Sequence, residues 1–184
     1  LSTNWSFAKN TLNRKQFASG GHLFSINARY VFGREHAMPG STSINKNEII
    51  KLHHWLNIGI DYQSFLIDEQ IFHFGLHGQL VYNSQSLFAN YTSSLLAMTE
   101  FSLVPDAKTY FLPEYRSPQF IGAGMNVIFT IKKKIDLRID GYVYQPFMQV
   151  IENIDGTLSL SKPFKNRSFI FLSFQCCVVR SKQI

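Results

Sequence analysis

The stretch "IDLRIDGYVYQPF", residues 135–147, decides the fold class of this chain. Alternate side chains of a β-strand point to opposite faces of the sheet. If this stretch is a strand, one face is aliphatic and the other carries three charges: Ile135, Leu137, Ile139 and Val143 oppose Asp136, Arg138 and Asp140. The aliphatic face then meets either a protein core or lipid, and the charged face meets water or a wet interior.

The composition of the chain fits a protein built from such strands. Of its 184 residues, 45% are hydrophobic, 15% are aromatic and 16% are charged, against about 25% charged in soluble domains. The net charge is +6, but the basic residues are scattered and form no nucleic-acid motif, so we expect no nucleic-acid partner. No run of about 18 apolar residues occurs, and the sequence predicts no transmembrane helix.

Segments with this alternation are predicted to be strands. The first lies near Asn4–Lys9, and the others are His22–Gly33, His54–Ile67, Ile71–Asn83, Gln119–Ile131, Ile135–Phe147 and Ser168–Val179. Several have about 11–13 residues, longer than the roughly 5–6 of a typical strand and long enough to cross a membrane when tilted.

The connections between these strands alternate in length. Strands three and four are joined by "DEQ" and strands five and six by Lys132–Lys134, whereas the connections 34–53, Ser84–Pro118 and Met148–Arg167 are long. In an antiparallel sheet, all the short turns then fall at one end and all the long loops at the other. This layout is typical of outer-membrane barrels, whose long loops are extracellular.

We therefore predict an all-β chain of one domain, residues 1–184, that forms an antiparallel transmembrane β-barrel segment of about seven strands. Its aliphatic face meets lipid and its charged face lines the lumen. Such strands leave two open edges, so we expect further strands outside this sequence. A soluble β-sheet binding protein is the alternative from a different class, since its strands alternate in the same way.

The sequence contains no recognisable catalytic motif. The G-x-S-x-G, P-loop and Rossmann glycine patterns are absent, and we predict no cofactor and no metal site. His73 and His77 share a strand face but lie roughly 13 Å apart at about 3.3 Å per residue, so we interpret them as polar lumen wall. His53 and His54 are interpreted as a strand entry, and no catalytic residue is predicted.

Four stretches carry a resemblance to a known family: "RKQFASGGHLFSINARYVFG", "SLFANYTSSLLA", "KTYFLPEYRSPQFIGAG" and "DLRIDGYVYQPF". From about residue 14 to residue 169 the chain resembles the C-terminal barrel region of patatin-like phospholipases from Bacteroidetes-type bacteria. That region is related to the barrels of surface antigens and outer-membrane assembly factors. The resemblance implies a bacterial outer-membrane location, contact with outer-membrane lipid, and insertion by the outer-membrane assembly machinery.

The resemblance also implies an upstream patatin domain that hydrolyses acyl esters with a Ser–Asp dyad. No residue of this sequence matches that dyad or its oxyanion loop. The expected role of these residues is therefore an anchor and translocation domain of a lipid acyl hydrolase. A non-enzymatic surface-antigen or assembly-factor barrel is the alternative. After about Phe169 the sequence departs from the family, and we interpret this as a truncation or a shifted frame.

The chain also resembles assembly-type barrels in a second motif. In those barrels a long loop folds into the lumen and carries an Arg-Gly-aromatic motif, whose Arg pairs with an Asp on a strand. Here "EYRSPQF" holds Arg116 at the end of the longest loop, with Ser117 in place of Gly. The resemblance predicts a salt bridge from Arg116 to Asp140, with Asp136 as the next candidate. An exposed loop arginine is the alternative.

Overall fold

The computed structural model describes residues 1–38, 40, 47–101, 111–131, 135–163 and 168–178. Its main element is one sheet of seven strands. These strands are β1 (Ser2–Asn10), β2 (His22–Ala37), β3 (Ile49–Asp68), β4 (Phe72–Asn83), β5 (Gln119–Ile131), β6 (Ile135–Pro146) and β9 (Phe169–Val178). The long connections contain helix α1 (Tyr91–Leu96), a 3-10 turn (Pro113–Tyr115) and a hairpin of β7 (Val150–Glu152) and β8 (Leu158–Leu160).

The strands of the main sheet follow one another in chain order, and every neighbouring pair is antiparallel. The prediction of an all-β, antiparallel chain is thereby confirmed. The sheet is open, with β1 at one edge and β9 at the other. In the described part of the chain, no helix is long and apolar enough to cross a membrane.

Two strands are longer than predicted. The second strand was predicted to end at Gly33 and the third to begin at His54, but their ladder continues to the pair Ala37–Ile49. A glycine in a strand does not end it when a partner strand is available, and Gly33 simply pairs with His53. The predicted turn Lys132–Lys134 and the predicted strand end at Val179 lie outside the described residues.

The elements within the long connections were not predicted. Helix α1 begins after Asn90, whose side chain accepts a hydrogen bond from the backbone N–H of Ser93 and so caps the helix. In the turn between β7 and β8, Thr157 donates to the Asp155 carboxylate from its hydroxyl and its backbone N–H, and both hydrogen bonds lower the pKa of Asp155.

The two faces of the main sheet differ sharply in exposure. On β6, the four aliphatic side chains are 37% to 47% exposed: Ile135, Leu137, Ile139 and Val143. The three charged side chains between them are 1% to 6% exposed: Asp136, Arg138 and Asp140. We call the aliphatic side of the sheet the outer face and the opposite side the inner face.

The outer face is mainly apolar on every strand of the sheet. The strand registers align its side chains in rows, one of which contains Phe74, Val127, Ile139 and Phe174. Large exposed hydrophobic residues on this face occur on all seven strands, among them Trp5, Phe32, Tyr62, Leu80, Met125, Leu137 and Leu172. The buried side chains of the protein lie on the inner face and under the connections that fold over it.

Candidate functional site

Arg116, one member of the predicted lumen pair, binds the loop that carries it. Its guanidinium pairs with Glu100 and donates to the carbonyl oxygens of Leu95 and Met98, at 3.5 and 3.3 Å. Its side chain is 15% exposed, so it is not an exposed loop arginine either. The loop therefore binds Nη1 and Nη2 of this arginine, by the carbonyl groups at the end of α1 and by an acid, whereas its buried Nε has no hydrogen-bond partner among the described residues.

Asp140, the predicted partner, is instead bound by its own strand and the adjacent one. Nε of Arg138 donates to both carboxylate oxygens at 2.8 and 2.7 Å. Nδ2 of Asn126, directly across the ladder from Asp140, donates to Oδ1 at 2.6 Å. Residues two apart on a strand share a face, which is why Arg138 reaches the carboxylate. Asp140 needs no partner from the loop.

Asp136, the second candidate, is paired with the connection between β1 and β2. Nη1 of Arg14 lies 2.7 Å from Oδ2 of Asp136, and the Thr130 hydroxyl donates to Oδ1 at 2.7 Å. The same connection supplies the carbonyl oxygen of Ala18, which accepts from Nη1 of Arg138 at 2.9 Å. Residues 11–21 thus fold over one end of the inner face and complete its ion pairs.

The two strand histidines take part in separate contacts on the inner face. Nδ1 of His73 lies 2.8 Å from Oδ1 of Asp68, and its Nε2 lies 3.3 Å from the Thr130 hydroxyl. The ring of His77 lies 6.1 Å, centre to centre, from the ring of Phe101. Among the described residues, no group of three or more His, Cys, Asp or Glu side chains is placed to hold a metal ion.

An aromatic cluster holds the long Ser84–Pro118 loop on the inner face. Phe101, fully buried, comes from the loop, and its ring centre lies 6.0 Å from Phe120, 6.2 Å from Tyr142 and 5.3 Å from Tyr144. A methyl carbon added at Gly122 would lie 2.1 Å from Cε2 of Phe101, so only glycine leaves room for this ring. The loop does fold onto the inner face, but through an aromatic ring and not through the predicted ion pair.

Gly122→Val is therefore expected to expel Phe101 and release the loop. The lost burial of one phenylalanine corresponds to about 3–5 kcal/mol of docking free energy. The measurement is the rate of proteolysis within Ser84–Pro118. Gly59→Val is the matched control, because a Cβ at Gly59 meets nothing within 4 Å. Equal protease sensitivity of the two variants would contradict the role of Phe101.

The long connections also pack on one another beyond the end of the sheet. Leu95 and Met98, in and just after α1, form a buried cluster with Val150 of β7. Nearby, burial raises the pKa of the Tyr115 phenol, and the Glu114 carboxylate raises it further. Helix α1 and the β7–β8 hairpin together form a cap at the long-loop end.

Three polar side chains under this cap form a hydrogen-bonded series that the sequence pattern does not predict. The Ser86 hydroxyl lies 2.8 Å from Nδ1 of His53, and Nε2 of His53 lies 2.7 Å from Oε2 of Glu35. The other carboxylate oxygen of Glu35 accepts from the backbone N–H of Ala89 at 2.7 Å. His53 is 1% exposed and is covered by the ring of Phe88, 4.7 Å away.

The reason for this omission is the strand boundary. Glu35 and His53 become neighbours only because β2 continues past Gly33 and pairs with the start of β3. If β2 ended at Gly33, Glu35 would belong to a loop, and its contact with His53 would not be predicted. Ser86 comes from a third segment, 33 residues from His53, and no local pattern marks it.

Comparison of the chain with protein-family models, with curated proteins and with solved structures finds no match.

Proposed function

We propose that this sheet is part of an outer-membrane β-barrel and serves the full-length protein as a membrane anchor and passage. The outer face lies against lipid, and the inner face lines the lumen. The observation that carries the proposal is the inverted exposure on β6: its aliphatic side chains are the exposed ones and its charged side chains are the buried ones. A soluble strand with one buried face has the opposite pattern.

The extent of the outer face supports the same conclusion. Single exposed hydrophobic residues are ordinary, but large continuous apolar patches mark surfaces that meet a partner or a membrane. Here exposed apolar side chains lie on the outer face of every strand, from Phe7 on β1 to Phe174 on β9. Lipid hydrocarbon is a partner that would cover the outer face of every strand. The charged side chains of β6 are paired on the inner face.

The dimensions of the strands agree with a membrane crossing. The outward apolar residues extend over Ile121–Ile131 on β5 and Ile135–Val143 on β6. A tilted strand needs about 9–11 residues to cross the hydrocarbon. In lipid every backbone N–H and C=O must be paired, so the open edges of β1 and β9 require further strands.

We propose further that the full-length protein is a patatin-like lipid acyl hydrolase of the bacterial outer membrane. The resemblance of four sequence stretches carries this part of the proposal, and the catalytic domain lies upstream of these residues. The alternative is a surface-antigen or assembly-factor barrel, which shares the sheet. The sequence preceding Leu1 decides between them, through a G-x-S-x-G motif for the hydrolase or POTRA-like repeats for the alternative.

Trypsin added to intact cells tests the proposed orientation. We expect cleavage in the Met148–Arg167 connection, after Lys165 or Arg167, and no cleavage at Lys132–Lys134. Long loops of outer-membrane barrels are extracellular and short turns are periplasmic, which gives this asymmetry. Opening the outer membrane is the control that makes the lysine turn accessible. Cleavage at the lysine turn in intact cells would reverse the orientation.

A further inference from the structure

We propose that Ser86 is a nucleophile, activated by His53 and Glu35, that cleaves small carboxylic esters. This site is separate from the Ser–Asp dyad expected upstream, and it does not depend on the membrane proposal. The three side chains form one hydrogen-bonded series, and its serine end is exposed to solvent.

The hydrogen-bond partners of His53 determine which of its ring nitrogens carries the proton. The Glu35 carboxylate can only accept, so Nε2 of His53, at 2.7 Å, carries the proton of the neutral ring. Nδ1 then holds a lone pair and accepts from the Ser86 hydroxyl at 2.8 Å. This is the relation between a serine nucleophile and its general base, with a third group that fixes the tautomer of the base.

A serine-hydrolase site requires a buried base and an accessible nucleophile, and the exposure of these three residues has that order. His53 is 1% exposed and the side chain of Glu35 is 13% exposed, so their geometry is held by packing against Phe88 and by the N–H of Ala89. Ser86 is exposed, so an ester can reach its oxygen. The imidazole and Glu35 also line a cleft of about 570 Å³ with Trp55 and Phe88; Ser86 lies outside this lining, so the ester approaches its oxygen from the solvent side.

The surroundings also supply donors for the developing oxyanion. Within the described residues, the backbone N–H groups of Ser86 and Leu87 are paired with no acceptor. The neighbouring N–H groups are engaged, that of Gln85 with Asn83 and that of Phe88 with Ser94. Backbone donors beside a nucleophile stabilise a tetrahedral intermediate where they point at its oxyanion.

The reaction balances with water as the only co-reactant. Oγ of Ser86 attacks the ester carbonyl carbon while its proton moves to Nδ1 of His53. The bond to the alcohol oxygen breaks, and Nδ1 returns the proton to that oxygen. Water then attacks the acyl-serine along the same path, releasing the carboxylic acid and restoring the Ser86 hydroxyl.

A fluorophosphonate probe with peptide mapping tests the proposal on the unaltered chain. We expect Ser86 to be labelled at least about 100-fold faster than Ser84, since a general base contributes roughly 10²–10⁴-fold. Ser84 is the matched control: it is exposed and two residues away, but its hydroxyl bonds the backbone of Leu56 and no histidine. Urea-unfolded chain gives the background rate of both serines.

Variants then separate the roles of the three residues. Ser86→Ala is expected to abolish hydrolysis of p-nitrophenyl acetate, and His53→Gln to lower the labelling rate about 100-fold or more. Glu35→Gln, which loosens the orientation of His53, is expected to lower kcat and leave KM unchanged. Labelling of Ser86 no faster than Ser84 in the folded, unaltered chain would overturn the proposal, even if the variants fail to fold. That result would not bear on the proposal that the sheet lies in a membrane.

Discussion

Ile139→Arg is expected to prevent stable assembly of the sheet in the outer membrane, whereas Ile154→Arg is expected to have no effect. Ile139 lies in the middle of the outward aliphatic run of β6 and is 37% exposed. An arginine on the lipid face near the bilayer midplane costs about 2–4 kcal/mol. Ile154 is fully exposed in the turn between β7 and β8, where an arginine meets water.

The measurement is the fraction of each full-length variant recovered from outer membranes in the compact form that shifts mobility on heating. The pair is informative because both side chains are exposed in the structure. If the outer face met water, both substitutions would be surface changes worth within about 0.5 kcal/mol. Equal recovery of the two variants would therefore contradict a lipid-facing outer face.

Asp140→Ala is expected to destabilise the sheet by about 3–5 kcal/mol, because it leaves the Arg138 guanidinium buried without its counter-charge. Arg138 and Asp140 are 6% and 1% exposed and share two hydrogen bonds. The double variant Arg138→Met/Asp140→Leu removes both charges and fills the space with apolar groups. We expect it to recover most of the lost stability, since replacing a buried pair in this way is often neutral.

Guanidinium unfolding of the chain in detergent micelles measures this difference. Residues 11–21 cover Arg138 through the carbonyl of Ala18 and the ring of Phe17, 5.9 Å from the guanidinium. A wet, exposed pair is worth only about 0.2–1 kcal/mol. A loss below 1 kcal/mol for Asp140→Ala would show that water reaches this part of the inner face.

The facing of the strands was predictable because it depends on a period of two, which the sequence displays directly. Ile135, Leu137 and Ile139 lie on one face and Asp136 and Arg138 on the other in any straight strand, whatever its neighbours. Strand order was also within reach, since short connections such as that between β3 and β4 join neighbours in an antiparallel sheet.

The contacts of the charged residues were less predictable because each residue has several possible partners, and the fold decides which of them lies within reach. Arg116 pairs with Glu100 of its own loop, whereas Asp140 pairs with Arg138 of its own strand. A resemblance between motifs gives residue types and not the competition between nearby partners. The Glu35–His53 contact needed in addition the true end of β2, which the pairing with β3 decides.

Tryptophan quenching by brominated lipid tests the central claim most directly, because the chain's two tryptophans lie on opposite faces. Trp5 is on the outer face of β1 and is 60% exposed, whereas Trp55 is on the inner face, 5.9 Å from the ring of Phe88. The variants Trp55→Phe and Trp5→Phe each leave one reporter in the chain reconstituted in vesicles. The account predicts strong quenching of Trp5 and little quenching of Trp55. Equal quenching of both, or none of Trp5, would contradict an outer face that lies against lipid.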